Sequence, residues 1–205
     1  MKLFNICKRG LDFLISLLAF AILCPVLVII AIAIRLESKG AAVFKQERAG
    51  KLGKTFVFYK FRTMKQDTEP FGPSPKSEED VRLTKIGTFL REYSLDELPQ
   101  FYNILKGDMS LVGPRPLYVS QIKEWNERQK KRLLVKPGLT GLAQIKGRGQ
   151  LTQEEKLELD IQYVENAGLF ADMKILLATF LIVFKKKNIY ENRYSQAECT
   201  RGDKS

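Results

Sequence analysis

The chain has 205 residues, of which 45% are hydrophobic and 28% are charged, so it can bury a core and is not intrinsically disordered over most of its length. It carries 34 Lys and Arg residues against 23 Asp and Glu residues, for a net charge of +11. It has no histidine, which excludes histidine-based triads and metal sites and leaves acid–base chemistry to carboxylates, lysine, tyrosine or cysteine.

The cysteines indicate the compartment of the soluble part. Cys7, Cys24 and Cys199 are odd in number and too widely spaced for a CxxC pair. This pattern fits a reducing environment better than a secreted disulfide framework, so we expect the soluble part to lie in the cytoplasm.

An uncharged apolar run occupies residues 13–34. As a straight helix, its 22 residues would extend roughly 33 Å, against about 30 Å for the hydrocarbon core of a bilayer. A cleaved signal peptide is disfavoured because the run exceeds the usual apolar region and no small-x-small cleavage site follows it. The sequence therefore predicts a membrane helix.

Pro25 lies in the middle of this run and cannot donate to the carbonyl of Ala21, so we expect a bend at Cys24-Pro25. Basic residues, which mark cytoplasmic flanks, occur on both sides of the run. They are Lys2, Lys8 and Arg9 before it and Arg35, Lys39, Lys45 and Arg48 after it. Both ends are thus expected on one side, as in a re-entrant helix-break-helix; a kinked single-pass helix is the alternative. Asp12 could pair with Arg9 at the interface.

The rest of the chain predicts an α+β fold that is mostly helical. Short strands are expected at 42–46 and 55–61, a polar loop at 66–80, and extended pieces at 109–116 and 139–145. Helices are expected at 82–92, 96–106, 117–134 and 152–166, the last opening with a Thr152/Glu155 capping box. The apolar run 175–184 is too short to span a bilayer and predicts a core or surface helix, with Lys185, Lys186 and Lys187 meeting anionic headgroups as a second reading. The predicted units are a re-entrant membrane helix (1–38), a cytoplasmic catalytic domain (39–190) and a flexible tail (191–205).

The segment 94–100 is the most informative for chemistry. Ser94 and Glu97 have the S-x-x-E spacing of a capping box, and Pro99 fits only near a helix start. Asp96 and Glu97 are therefore expected at a helix N-terminus, where ionised carboxylates are favoured. Such carboxylates can attack phosphorus, hold a divalent cation or simply cap the helix, and the residues alone leave these alternatives open.

Several cations are candidates for binding an anionic group. Arg115 lies between Pro114 and Pro116, which stiffen the backbone that carries its guanidinium. The other candidates are Lys60 and Arg62 at the end of the second strand, Arg91, and Arg148. The run 128–132 is interpreted mainly as exposed charge. Because no G-x-G-x-x-G or P-loop motif occurs, any phosphate would be bound by Arg and Lys.

Ordered motifs along the chain resemble the bacterial monotopic phosphoglycosyl transferases, the sugar transferase family that begins lipid-linked glycan assembly. They cover nearly all of residues 1–185. The matching elements are the basic, Asp-bearing apolar N-terminal helix and segments 59–64 (YKFRTM), 82–87 (RLTKIG), 94–100 (SLDELPQ), 103–110 (NILKGDMS), 112–117 (VGPRPL) and 136–144 (KPGLTGLAQ).

The resemblance implies transfer of a sugar 1-phosphate from a UDP-sugar to polyprenol (undecaprenyl) phosphate, with release of UMP. It implies that Asp96 is the nucleophile, that Glu97 activates the lipid phosphate, and that Mg²⁺ lies beside Asp96. Two anionic substrates would give the +11 charge a use. The implied location is the cytoplasmic face of the bacterial inner membrane, with membrane phospholipid and downstream glycosyltransferases as partners and no nucleic acid.

Two positions depart from the family pattern. Cys24-Pro25 replaces the common Ser-Pro at the membrane bend, and Lys146-Gly147-Arg148 replaces Asn-Gly-Arg, where sugar or nucleotide preference could differ. A rival hypothesis is a non-catalytic, membrane-tethered basic adaptor that binds acidic lipid or nucleic acid. That reading explains the charge and the anchor but gives Asp96 and Glu97 no role.

Overall fold

The computed structural model describes residues 2–66, 68, 75 and 77–184, with the side chains of residues 2, 3, 148, 183 and 184 outside that description. The helices are α1 (Lys2–Glu37), α2 (Lys85–Glu92), α3 (Gln100–Lys106), α4 (Glu127–Lys130), α5 (Leu142–Lys146), α6 (Gln153–Glu165) and α7 (Leu169–Phe184). The strands are β1 (Val43–Ala49), β2 (Thr55–Phe61), β3 (Ser110–Val112) and β4 (Gly138–Thr140). The predicted α+β, mostly helical class is confirmed. The tail 191–205 and the lysines at 185–187 lie outside the described residues.

Helix α1 contains the predicted membrane segment. Its stretch Phe4–Glu37 is long and apolar enough to cross a bilayer. The break expected at Cys24-Pro25 is not present, because the chain stays helical from Lys2 to Glu37 with Pro25 inside the helix. Proline removes a single hydrogen bond and crowds one carbonyl, and a helix can absorb both as a bend without ending. Re-entry into one leaflet stays a prediction.

Both ends of α1 pack against the same domain. Near its start, the buried carboxylate of Asp12 accepts hydrogen bonds from Ser110 Oγ at 2.7 Å and Leu111 N at 3.1 Å in β3. Near its end, Ile34 is buried in a cluster with Phe61 and Leu90. The apolar side chains between these contacts, from Leu17 to Ile29, are mostly exposed.

The expected pairing of Arg9 with Asp12 is wrong. Arg9 instead donates to the carbonyls of Ile104 at 2.6 Å and Leu105 at 3.0 Å, at the end of α3. This exchange of partners places a cation where the α3 dipole is negative and joins α1 to α3.

Two small sheets complete the framework. Strands β1 and β2 form an antiparallel hairpin in which Val43 faces Phe61 and Ala49 faces Thr55. Phe56 and Phe58 enter a core with Ile104 and Met109, whereas Phe61 packs toward α1. Strands β3 and β4 pair in parallel, with Ser110 opposite Gly138.

Two predicted elements differ from the structure. The single helix expected at 117–134 is divided into a 3-10 helix at Val119–Glu124, the short α4 and another 3-10 turn at Lys131–Leu134. Trp125 is extended, and the Asn126 side chain caps a new helix by accepting from Gln129 N, so the helix restarts here. The extended piece expected at 139–145 ends with β4, because Gly141 is followed by the good helix formers of α5.

Candidate active site

The turn before α3 positions the two acidic residues. Leu95–Glu97 forms a 3-10 turn, preceded by Ser94 in a left-handed conformation with φ 55° and followed by Pro99 at the cap of α3. Ser94 makes no side-chain capping hydrogen bond, so the expected capping box is wrong. Asp96 points inward and is only 7% exposed. A buried carboxylate that does not cap a helix calls for another explanation, because burying an ionised group without compensation is costly.

Three predicted cations surround Asp96. Burial raises the pKa of the Asp96 carboxyl and the charge of Glu97 raises it further, whereas Arg91, Lys60 and Arg115 act in the opposite direction. The same environment acts on Lys60, whose pKa is lowered to about 8, first by burial and then by the charge of Arg91. The structure thus brings together a carboxylate pair and a set of positive charges in a desolvated place, as is typical of functional sites.

Lys60 and Arg91 are held by the hairpin and α2. The Lys60 ammonium lies 5.3 Å from the ring centroid of Phe44, its cross-strand partner. Arg91, in the last turn of α2, donates from Nε to Thr63 Oγ1 at 2.9 Å. The helix can come this close because residue 87 is glycine, where a Cβ would lie 2.0 Å from the carbonyl oxygen of Thr63.

Arg115 joins the second carboxylate. Its Nη2 donates to Glu97 Oε1 at 2.7 Å, and half of the Arg115 side chain remains exposed. The Arg115 carbonyl accepts from Arg132 Nη2 at 2.5 Å, and that guanidinium pairs with the buried Asp160 at 2.7 Å. The stiff backbone that the flanking prolines predicted is therefore also fixed by a buried ion pair.

Sequence reasoning missed two cations. Arg132, interpreted as exposed charge, is only 3% exposed. Arg48 was counted only as a flanking positive charge, but its guanidinium lies 3.7 Å from the ring centroid of Tyr118 and lowers the pKa of Lys60. The alternation of β1 was the available signal, because it puts Arg48 on the same face as Phe44.

Two other candidates are not placed in this cluster. Arg62 donates to the carbonyls of Lys39 and, at 2.8 Å, Ser38, where the chain leaves α1. It is not among the charges that act on Asp96, and its role in binding an anionic substrate stays a prediction. The last carbonyls of a helix have no partner within the helix, so they accept hydrogen bonds from the Arg62 guanidinium. No local sequence pattern predicts this contact. The side chain of Arg148 lies outside the described part of the structure.

The donor set can be tested for Mg²⁺. Within the described residues there is no cluster of three or more acidic or cysteine side chains that could enclose a metal ion. Mg²⁺ commonly binds one or two carboxylates and completes its octahedron with water and substrate phosphate oxygens. Asp96 and its neighbour Glu97 fit that mode of binding and do not fit an all-protein cage.

An acidic pair among cations, on a domain attached to an apolar helix long enough to cross a bilayer, is typical of a membrane-associated enzyme. Comparison with known proteins identifies the family. The family model described as bacterial sugar transferase matches residues 3–186. The chain belongs to the bacterial sugar transferase family, and the resemblance seen in the motifs is confirmed.

Named relatives agree with this assignment. An uncharacterized sugar transferase, EpsL of Bacillus subtilis (strain 168), is 44% identical over 195 residues, covering 94% of this chain and 95% of that protein. The galactosyl transferase CpsE of Streptococcus agalactiae serotype III (strain NEM316) is 44% identical over 190 residues, covering 87% of this chain and 42% of that protein. UDP-glucose:undecaprenyl-phosphate glucose-1-phosphate transferase of Escherichia coli (strain K12) is 41% identical over 186 residues, covering 87% and 39%. The chain thus spans less than half the length of the latter two relatives.

Proposed function

We propose that this protein transfers a sugar 1-phosphate from a UDP-sugar to polyprenol (undecaprenyl) phosphate and releases UMP. The observation that carries the proposal is the buried Asp96 among Lys60, Arg91 and Arg115. The printed names of several relatives, which include undecaprenyl-phosphate sugar phosphotransferases, support the substrate classes. The reaction would be the first membrane step of assembly of a glycan such as a polysaccharide, an O-antigen or a glycoprotein glycan, with downstream glycosyltransferases taking up the product.

The proposed chemistry has two displacements at one phosphorus atom. An oxygen of the Asp96 carboxylate attacks the sugar-bearing phosphorus, the bond to the bridging oxygen breaks, and UMP leaves with the electron pair. An oxygen of the polyprenol phosphate then attacks the same phosphorus, and the bond to Asp96 breaks to restore the carboxylate. Because the steps are separate, the two bulky anionic substrates need not be bound together.

The surrounding charges have defined tasks in this scheme. Lys60 and Arg91 would bind phosphoryl oxygens and keep Asp96 ionised against the effect of burial. Glu97 would activate the incoming lipid phosphate, with its carboxylate oriented by the 2.7 Å contact from Arg115. The Arg115 side chain remains half exposed, so its guanidinium is accessible to a substrate from solvent. Arg148 is proposed for the same anionic substrates.

Mg²⁺ is proposed at Asp96, with Glu97 next to it. When bound there, it would supply charge neutralisation on the diphosphate and would favour the ionised form of Asp96. The two adjacent carboxylates and the lack of a larger acidic cluster within the described residues support binding together with the substrate rather than in a closed protein site.

The proposed membrane placement is re-entrant, on the cytoplasmic face of the inner membrane. Both ends of α1 contact one domain, through Asp12 near the start and Ile34 near the end, so a crossing that separated those ends would break one set of contacts. The exposed apolar residues between them would enter one leaflet. Helix α7 adds exposed apolar side chains, among them Phe170, Leu177 and Phe180, that fit the membrane surface.

The test is UMP release by the full chain with Mg²⁺, undecaprenyl phosphate and a panel of UDP-sugars. We expect Asp96→Asn to lower turnover by at least about 10⁴-fold, because an amide is not a nucleophile at phosphorus. Asp108→Asn is the matched control, since the half-buried Asp108 pairs with Lys106 at 3.0 Å and is not among the charges that act on Asp96, and it should leave turnover unchanged. Intact mass spectrometry with donor alone should show a phosphosugar adduct that maps to Asp96. Product formation without such an adduct would contradict the two-step scheme, and lipid binding without any UMP release would favour the adaptor hypothesis.

A further inference from the structure

A groove lies where the chain leaves α1 and begins β1. It has a volume of about 680 Å³ and opens to the surface. Its lining residues are Ala31, Arg35, Lys39, Gly40, Ala41, Ala42 and Val43. The two charged lining residues, Arg35 and Lys39, are not among the charges that act on Asp96, and no lining residue is a candidate of the active site.

The backbone of this groove is firmly held. Gly40 has φ +109°, and a Cβ there would lie 3.0 Å from Arg62 Nη1. Arg62 donates to the carbonyl of Ser38 at 2.8 Å, and Arg62 N donates to the carbonyl of Ala42 at 2.8 Å. The groove is thus formed before any ligand arrives, which lowers the entropic cost of binding.

Two positive charges of the groove are not neutralised. Arg35 and Lys39 are exposed, and neither side chain forms an ion pair with any residue that the structure describes. The acidic residue between them, Glu37, is directed away, because its carboxylate accepts from Lys85 N at 2.7 Å and Ile86 N at 3.1 Å in the first turn of α2. A single anionic group between Arg35 and Lys39 would supply the missing counter-charge.

The other side of the groove is apolar and continues onto α1. Ala31, Ala42 and Val43 carry no polar side-chain atoms, and the neighbouring α1 side chains Val28 and Ile32 are exposed. Arg35 is the first charged residue after the apolar run, so it marks the boundary between hydrocarbon and headgroups. A ligand for the whole groove must therefore join a phosphate to a hydrocarbon chain.

We propose that this groove binds one anionic phospholipid of the bilayer, with its phosphate between Arg35 and Lys39 and an acyl chain along Ala31 toward Val28. The proposal rests on the membrane placement given above but not on the reaction. The lipid is not the acceptor substrate, since the acceptor's phosphate must reach Asp96 and the cations around it.

The experiment measures lipid retention by the full chain with native mass spectrometry, after release from bilayers that contain phosphatidylglycerol and phosphatidylcholine. We expect one retained phosphatidylglycerol in preference to phosphatidylcholine. Arg35→Gln and Lys39→Gln should each weaken this retention about fivefold, and the double variant about thirtyfold, because each surface cation contributes about as much as a fivefold change in affinity. These side chains are exposed and have no ion pair to lose, so folding should be preserved.

The matched control is the double variant Lys51→Gln/Lys54→Gln, which removes the same charge at the exposed turn between β1 and β2. Equal loss of phosphatidylglycerol in this control would overturn the proposal in favour of unspecific attraction. Displacement of the lipid by inorganic phosphate would also overturn it, as would a raised KM for undecaprenyl phosphate in the Arg35/Lys39 variant with lipid retention unchanged. If the protein floats with vesicles but retains no lipid, the proposed lipid binding in the groove is overturned and the membrane placement is not. If the protein fails to float with vesicles, the membrane placement is overturned as well.

Discussion

The protonation of Lys60 should set an alkaline limit on activity. Its pKa is lowered from 10.5 to about 8, mainly by burial and then by the charge of Arg91. This change corresponds to about 3 kcal/mol of cost for charging Lys60 inside the protein. The protein therefore holds its cation at a site where a small rise in pH removes the charge, and with it the attraction for a phosphoryl oxygen.

The expected result is a fall of kcat/KM as the pH rises through about 8. This parameter reports the free enzyme, whereas bound phosphate should raise the pKa of Lys60 and move the corresponding fall in kcat to higher pH. Because arginine stays protonated, Lys60→Arg should remove the fall near pH 8 even if the new side chain lowers the maximal rate. Lys45→Arg is the control, since Lys45 lies on the exposed part of the same hairpin.

The contribution of Lys60 to the free energy of unfolding should rise over the pH range in which the activity falls. The unfolded chain binds the Lys60 proton more tightly than the folded chain does, so the free energy of unfolding gains a contribution as the pH rises from about 8 toward 10.5. Below pH 8 both states are protonated, and the full cost of burying the charge is present.

The comparison with Lys60→Arg decides whether Lys60 sets the alkaline limit. A fall in kcat/KM near pH 8 that is identical in Lys60→Arg and the unaltered protein would refute that assignment.

Two further predictions concern the framework and the membrane. Arg132→Met should lower the free energy of unfolding by about 3–5 kcal/mol in denaturant titration, because it leaves Asp160 buried without its partner. Adding Asp160→Leu should recover most of that loss; no recovery would show that the pair is not the cause. In a variant with its native cysteines replaced by serine, a cysteine at Asn5 or at Lys39 should react only from the cytoplasmic side of sealed vesicles. Labelling of Asn5→Cys from the outside alone would refute re-entry.

The sequence alone predicted those elements whose signal lies within a few neighbouring residues. Alternation predicted the β1–β2 hairpin, and the Thr152/Glu155 spacing predicted the start of α6, where both capping hydrogen bonds form. The candidate cations Lys60 and Arg115 were also proposed from short motifs. Each of these depends on residues a few positions apart, which is the range over which periodicity and capping act.

Long-range partners were not predictable in the same way. Arg62 donates a hydrogen bond to the carbonyl of Ser38, more than 20 residues earlier in the chain, and Arg132 pairs with Asp160 on a different helix. A run of charges such as 128–132 usually lies on a solvated face, and only the packing of α6 reveals that one member is buried. The Ser94–Glu97 spacing failed for a related reason: the chain uses the turn to direct Asp96 into the protein instead of capping α3.

Helix α1 is part of the framework of the candidate active site. Through Asp12, α1 supports the start of β3, and β3 leads directly into the segment that carries Arg115. Through Glu37, it caps the first turn of α2, whose last turn carries Arg91. The end of α1 is in turn held by Arg62, which directly follows β2, the strand that carries Lys60. Lys60 and Arg91 therefore lie on elements that α1 contacts, and Arg115 follows such an element within three residues. If the proposed reaction takes place at Asp96, the same contacts that hold α1 would position the reacting phosphorus relative to the membrane.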